Sequence, residues 1–157
     1  MVTRLSEYEK SYFKNCTFCD LFAGIGAFRL ALESFGAQCV FSCEWDKDAQ
    51  KVYEKNYGDF PFGDIKKIDK RDISHHNILC AGFPCQPFSL AGKRLGFFDT
   101  RGTLFFDVAE IVKYHQPDIV LLENVRNIIS HNGGHTLRVI LSVLDDLGYD
   151  VFYDVYN

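Results

Sequence analysis

Short apolar runs alternate along the chain with segments of helical spacing. Residues 17–22 form a candidate strand that runs into Gly24-Ile25-Gly26. Residues 27–35 have helical spacing, with Leu30, Ala31, Ser34 and Phe35 near one face and Gly36 as the stop. A second strand covers 38–44, and Asp46 caps a polar helix running to residue 57. Residues 59–65 read as a short strand or loop, 77–81 as a further strand, and 103–115 as a helix stopped by Gln116-Pro117. Residues 118–123 are almost wholly apolar, the pattern of a strand buried on both faces. A helix over 135–147, closed by Gly148, and a last strand over 149–156 complete the pattern.

Strand and helix in alternation imply an α/β fold, a parallel sheet with helices on both faces. The exception is residues 83–102, which have no regular pattern. A loop of that length inside a compact domain is usually functional. It also starts at a strand end, where open α/β sheets bind ligands.

Composition narrows the class. A chain of 157 residues is long enough for one domain with a core, and 47% hydrophobic with 24% charged residues is ordinary soluble globular composition. Fifteen phenylalanines and eight tyrosines imply a well-filled interior. No apolar run reaches the roughly 18 residues of a membrane span, and the first fifteen residues are too polar for a secretory signal, so the expected compartment is the cytoplasm. A net charge of −4 argues against a free-standing nucleic-acid binder. Any contact with DNA would need a local positive surface or a further segment. Cys16, Cys19, Cys39 and Cys43 have spacings that resemble a zinc site. Against zinc, an odd offset in a strand sends Cys16 and Cys19 to opposite faces, so they read as small buried hydrophobes and no metal is expected.

Candidate chemistry lies at successive strand ends. Asp20-Leu21-Phe22-Ala23-Gly24-Ile25-Gly26 is a strand, a glycine turn and a helix start, which lets backbone approach a ligand. A tight turn without a ligand has the same signature, and the third glycine of the dinucleotide fingerprint is replaced by Arg29. Glu44 ends the next strand, where an acid can accept from both ribose hydroxyls, and Trp45 can lie on a flat base. The bland alternative is a solvated acid beside a core tryptophan. Asp64, after Gly63, can accept from an adenine amino group. Gly82-Phe83-Pro84-Cys85-Gln86-Pro87-Phe88-Ser89 is the most specific signal. Two prolines stiffen the backbone around Cys85 and push it out of helix, so the thiol projects from a rigid bend. Lys93, Arg94 and Arg101 follow in the same loop, where their charge favours thiolate and holds phosphates. Glu123-Asn124-Val125 ends the apolar run 119–122 and places a partly desolvated carboxylate at the same crevice, with a helix cap or ion pair as the alternative.

Taken together, these motifs resemble the cytosine-5 DNA methyltransferase family from about Thr17 onward. Asp20 to Gly26 looks like its first motif, Glu44-Trp45 its second and Gly63-Asp64-Ile65 its third. Gly82 to Ser89 looks like its fourth, Arg101-Gly102-Thr103-Leu104 its fifth and Glu123-Asn124-Val125 its sixth. The resemblance implies the Rossmann-like fold of S-adenosylmethionine-dependent methyltransferases over 16–157, after a lead-in of residues 1–15. It implies S-adenosylmethionine as methyl donor, held by Asp20, Phe22, Ala23, Gly24, Ile25, Gly26, Glu44, Trp45, Asp64, Ile65, Gly82, Pro84, Thr103 and Leu104. Cys85 and Glu123 would carry the chemistry with Pro84 and Asn124. Gln86, Ser89, Lys93, Arg94 and Arg101 would meet double-stranded DNA with a flipped cytosine. The loop over 86–101 is expected to be a lid that orders on DNA.

Family members continue past this point into an arginine motif, a seventh strand, a target-recognition domain and a late helix over the cofactor. The chain is therefore expected to be an incomplete catalytic domain. Alone it should be inactive on specific DNA, with the remainder truncated, cut away or carried by a second chain, in a bacterial or phage restriction-modification setting. A transfer-RNA branch of the family usually begins its nucleophile motif with two prolines, and Phe83-Pro84 favours DNA. A non-catalytic assembly subunit is a further alternative. A nicotinamide-dependent dehydrogenase would leave Pro84-Cys85-Gln86 and Glu123-Asn124 unexplained.

Overall fold

The computed structural model describes residues 11–85 and 103–156. Its sheet has four parallel strands, β1 (Thr17–Leu21), β2 (Gln38–Cys43), β3 (Ile78–Gly82) and β4 (Ile119–Glu123), in the order β2-β1-β3-β4. The helices are α1 (Ala27–Ser34), α2 (Lys47–Tyr57), α3 (Leu104–His115) and α4 (His135–Asp146). The chain leaves β1 toward one edge for β2 and returns to the other side for β3 and β4. That reversal opens a crevice at the carboxyl ends of β1 and β3.

Side-chain alternation along the strands divides the core into two layers. Phe18, Ile78 and Cys80 face α1, where Leu32 and Phe28 meet them. Cys19, Leu21, Leu79 and Ala81 face α3 and α4, against Phe105, Val108, Val112, Ile140 and Val143. Cys16 belongs to the first layer and Cys19 to the second, the opposite-face placement expected from their spacing. Among the described residues, no helix is long and apolar enough to cross a membrane.

Three sequence expectations are corrected. The buried stripe of α1 is Phe28 and Leu32, while Leu30 is 68% exposed and Ala31 and Ser34 also face outward. Both stripes have helical spacing, and the phase is set by how the glycine turn releases the chain. Residues 59–65, read as a short strand or loop, take the loop form. Phe62 makes one bridge to Cys43, its ring stacks on Phe41 at 4.8 Å, and a 3-10 helix follows over Ile65–Lys67. β4 is not buried on both faces, because among the described residues it is the sheet edge and helices cover one side of it. Ile119 and Leu121 are 38% and 43% exposed, whereas Val120 and Leu122 pack on the core. Finally, 149–156 is not a strand. Gly148 turns the chain at φ 89°, Tyr149 N–H donates to Leu144 O (3.0 Å), and the Tyr149 hydroxyl donates to Pro117 O (2.7 Å). Beyond that anchor Phe152 and Tyr156 are exposed. An extended segment becomes a strand only beside a ladder partner, and none of the described residues supplies one on the far side of β4.

Candidate active site

A cavity of about 750 Å³ opens at the carboxyl ends of the strands. Its first wall follows β1. Phe22 takes a left-handed conformation (φ 56°), costly for a residue with a side chain, and lines the cavity. Gly24 (φ 56°) and Gly26 (φ 93°) then complete the turn into α1. Those glycines are required because L side chains rarely adopt such angles.

The second wall comes from β2. Glu44 accepts the Gly24 N–H on one carboxylate oxygen and the Asp46 N–H on the other, each at 2.8 Å. It therefore joins the glycine turn to the start of α2, where the Asp46 side chain accepts from the Asp48 and Ala49 amides. Trp45 is 76% exposed beside the cavity, which excludes the core-tryptophan reading. Asp64 lines the adjoining part and caps the 3-10 helix by accepting from Lys66 N–H (3.0 Å). Ile65 beneath it is buried.

The third wall is built by strand register. Gly82 of β3 lies opposite Glu123 of β4, so the residues just beyond them share the crevice. A Cβ on Gly82 would lie 3.3 Å from Glu123 Oε2, so the missing side chain gives that carboxylate its room beside β3. The Asn124 side-chain amide donates to Phe83 O at 2.6 Å, tying the two strand ends together immediately before Pro84 and Cys85. Cys85, half-buried, lines the same cavity as Pro84, Glu123 and Asn124. The chain thus brings a thiol, two carboxyl-bearing walls and an exposed tryptophan onto one hollow.

Other expected residues are placed differently. Asp20 is fully buried and does not line the cavity, since strand alternation turns it under α1 rather than outward. Ala23, Gly24, Ile25, Gly26 and Thr103 also lie off the cavity wall. Ile25 points to solvent at 57% exposure, and Thr103 is the buried N-cap position of α3, whereas Leu104 does reach the cavity. Glu123 is exposed rather than partly desolvated, because the outer face of the β4 edge is uncovered. Gln86, Ser89, Lys93, Arg94 and Arg101, and with them the lid expectation, lie outside the described residues. Sequence reasoning missed Cys43, Gly63, Lys66, Phe83 and Val125 on the wall. Each of these adjoins a residue that was expected there. Lys66 had no sequence signal beyond that and arrives through the 3-10 turn. Among the described residues no cluster of His, Cys, Asp or Glu is placed to hold a metal ion.

Asp20 has a measurable consequence. Burial pushes its carboxyl up to about 7, the Arg29 amide and guanidinium pull it down, and Glu44 adds to the rise. Neither oxygen has a well-formed hydrogen bond among the described residues. With a folded value above the unfolded value of about 3.9, the folded state holds the proton more tightly. Its contribution to stability is complete below about pH 4 and is lost as pH rises through the folded value of about 7. Asp20→Asn cannot ionise, so its Tm relative to the unsubstituted chain should rise by roughly 5 °C or more between pH 5 and pH 8. A difference that stays flat over that range contradicts this assignment.

The family model for C-5 cytosine-specific DNA methylase matches residues 16–157. The type II methyltransferase M.NgoBI of Neisseria gonorrhoeae is 59% identical over 138 residues, covering 88% of this chain and 44% of that protein. The type II methyltransferase M.HhaI of Haemophilus parahaemolyticus is 56% identical over 140 residues, covering 89% of this chain and 43% of that protein. The chain thus spans less than half the length of these curated relatives. Among solved structures, the Dnmt2 methyltransferase of S. pombe superposes with a TM-score of 0.61 at 23% identity, over 82% of this chain and 42% of that one. A Spodoptera frugiperda DNMT2 mutant gives a TM-score of 0.64 at 21% identity, over 85% and 41%. These structural likenesses show a Rossmann-like fold, and the match across residues 16–157 shows that the chain belongs to the C-5 cytosine-specific DNA methylase family.

Proposed function

We propose that the chain forms the cofactor-binding and nucleophile-bearing part of a DNA (cytosine-5-)-methyltransferase of a bacterial restriction-modification system, acting in the cytoplasm on double-stranded DNA. The supporting observation is that Cys85, Glu123, Glu44, Trp45 and Asp64 line one cavity. The relatives named as type II methyltransferases support the substrate class. Because the chain spans less than half of them, the target-recognition part is assigned to a further segment or a second chain.

The residues present fit S-adenosylmethionine. Glu44 offers carboxylate acceptors for vicinal ribose hydroxyls, Trp45 a free aromatic face for adenine, and Asp64 an acceptor for the adenine amine. When bound, the cofactor supplies an activated methyl group. A cytosine flipped from the duplex presents carbon 6 to Cys85, at a cost of a few kcal/mol in lost stacking and pairing. The Cys85 thiolate adds to carbon 6, and the displaced electron pair is taken up at ring nitrogen 3, where Glu123 delivers a proton. Carbon 5 becomes electron-rich and accepts the methyl group. Loss of the carbon 5 proton, cleavage of the carbon–sulfur bond and return of the nitrogen 3 proton to Glu123 restore the ring. Asn124 holds the Phe83 carbonyl and thereby fixes the bend that carries Cys85.

The test is calorimetric titration of S-adenosylmethionine into the chain and into Glu44→Ala. The expected result is saturable binding that weakens roughly tenfold to a hundredfold in the variant, as for a charged hydrogen-bonding group. A folded chain that binds no S-adenosylmethionine, or binds it equally well without the Glu44 carboxylate, would overturn the cofactor assignment.

A further inference from the structure

The outer side of the glycine turn, away from the cavity, is as closely held as the inner side. Helix α2 starts beside Glu44 and Trp45 and ends against the turn. At its start, the Gln50 amide donates to the Glu44 carbonyl. At its end, the Asn56 amide donates to Ile25 O (3.1 Å) and the Tyr57 hydroxyl donates to Gly26 O (2.6 Å). The Tyr57 ring occupies the space where a side chain on Gly26 would stand, since a Cβ there would lie 2.2 Å from Tyr57 Cε2. The ring is itself fixed. The Arg29 guanidinium lies 4.5 Å from its centroid and is held by Glu33 (2.7 Å), Asp59 (2.5 Å) and the Tyr53 hydroxyl (3.0 Å). Tyr53, fully buried, packs against Tyr57 at 4.8 Å.

We propose that Tyr57 is the positioning residue of the cofactor turn: it clamps Gly26 from behind while Glu44 clamps Gly24 from the front. The turn contains three left-handed residues, Phe22, Gly24 and Gly26, so it has many alternative conformations to lose. A hydroxyl on one carbonyl and a ring against one α-carbon select the conformation that keeps the Gly24 amide on Glu44. One helix then sets both the acid that would take the ribose and the turn that adjoins it. Tyr57 is only half-buried at the end of α2, so the packing core does not depend on it as it depends on Tyr53. This inference rests on the S-adenosylmethionine reading for its effect on affinity, and on the turn alone for its effect on mobility.

The experiment compares Tyr57→Phe, Tyr57→Ala and Lys55→Gly in the full chain. The last loosens the same end of α2 at an exposed position. Two quantities are read: S-adenosylmethionine affinity by calorimetry, and hydrogen exchange at the Gly24 and Gly26 amides without cofactor. Tyr57→Ala is expected to weaken binding roughly tenfold to a hundredfold, and Tyr57→Phe, which keeps the ring, about threefold to tenfold. Tyr57→Ala should also speed exchange at both amides by about tenfold or more, with Leu79 and Cys80 unchanged. Lys55→Gly, which keeps the Tyr57 contacts, should change binding and turn exchange by about threefold at most. Equal affinity and equal turn exchange in Tyr57→Ala and Lys55→Gly would overturn the proposal. If the unsubstituted chain binds no S-adenosylmethionine, the cofactor reading fails separately, and unchanged exchange in Tyr57→Ala then still refutes the clamp.

Discussion

In the protein completed by its target-recognition part, Cys85→Ala is expected to lower methyl transfer from S-adenosylmethionine to duplex DNA by about four orders of magnitude or more. Its affinity for the cofactor should stay within about twofold of the unsubstituted protein. The effect is large because no other group replaces a thiolate at carbon 6: without addition, carbon 5 remains an unreactive aromatic carbon. Of the other described cysteines, Cys16, Cys19, Cys43 and Cys80 are buried, and burial pushes each thiol up from its ordinary value. Cys39, half-buried on β2, is raised for the same reason to about 11. They are therefore poor substitutes for a nucleophile at neutral pH. The measurement is transfer of labelled methyl to DNA, with cofactor binding measured in parallel. Transfer within tenfold of the unsubstituted rate would remove Cys85 from the mechanism.

Glu123→Gln gives the second large effect, again in the completed protein. The amide keeps the shape and the room left by Gly82, and it can still hydrogen-bond, but it cannot deliver a proton to ring nitrogen 3. The turnover rate should fall roughly a hundredfold to ten-thousandfold, the range of a general acid. The KM for S-adenosylmethionine should change little, because Glu44, Trp45 and Asp64 stand at another part of the cavity wall. A loss confined to KM, with kcat retained, would make Glu123 a binding group and leave the proton donor unassigned.

What was legible in the sequence followed from local rules. The apolar runs over 17–22, 38–44 and 77–81 are strands because β-forming residues are bounded by glycine or polar breaks, and their ends carry the groups that meet at the cavity. Asp46 read correctly as a cap because its acceptor chemistry is local. The resemblance was legible for a similar reason, since the bend Phe83-Pro84-Cys85 and the pair Glu123-Asn124 are short and chemically unusual. What was misread depends on distant parts of the chain. Whether 118–123 is central or at an edge depends on strand order, which no window of sequence contains. Residues 149–156 have the composition of a strand, but pairing needs a neighbour. The stripes Phe28–Leu32 and Leu30–Ala31 of α1 have equal claim until the glycine turn sets the phase. Asp20 sits inside a recognisable motif, yet alternation along β1 directs it away from the cavity. The clamp of Tyr57 on Gly26 joins residues 31 positions apart and had no local sign.

Covalent capture tests the central claim most directly. Duplex DNA carrying 5-fluorocytosine, incubated with S-adenosylmethionine and the protein, together with any chain that completes it, should form a stable complex. Fluorine at carbon 5 removes the proton whose departure lets the thiolate leave. The account predicts that mass spectrometry of the digested complex locates the pyrimidine on the sulfur of Cys85, and that Cys85→Ala forms no complex. An adduct on any other residue, or one that persists in Cys85→Ala, would contradict it.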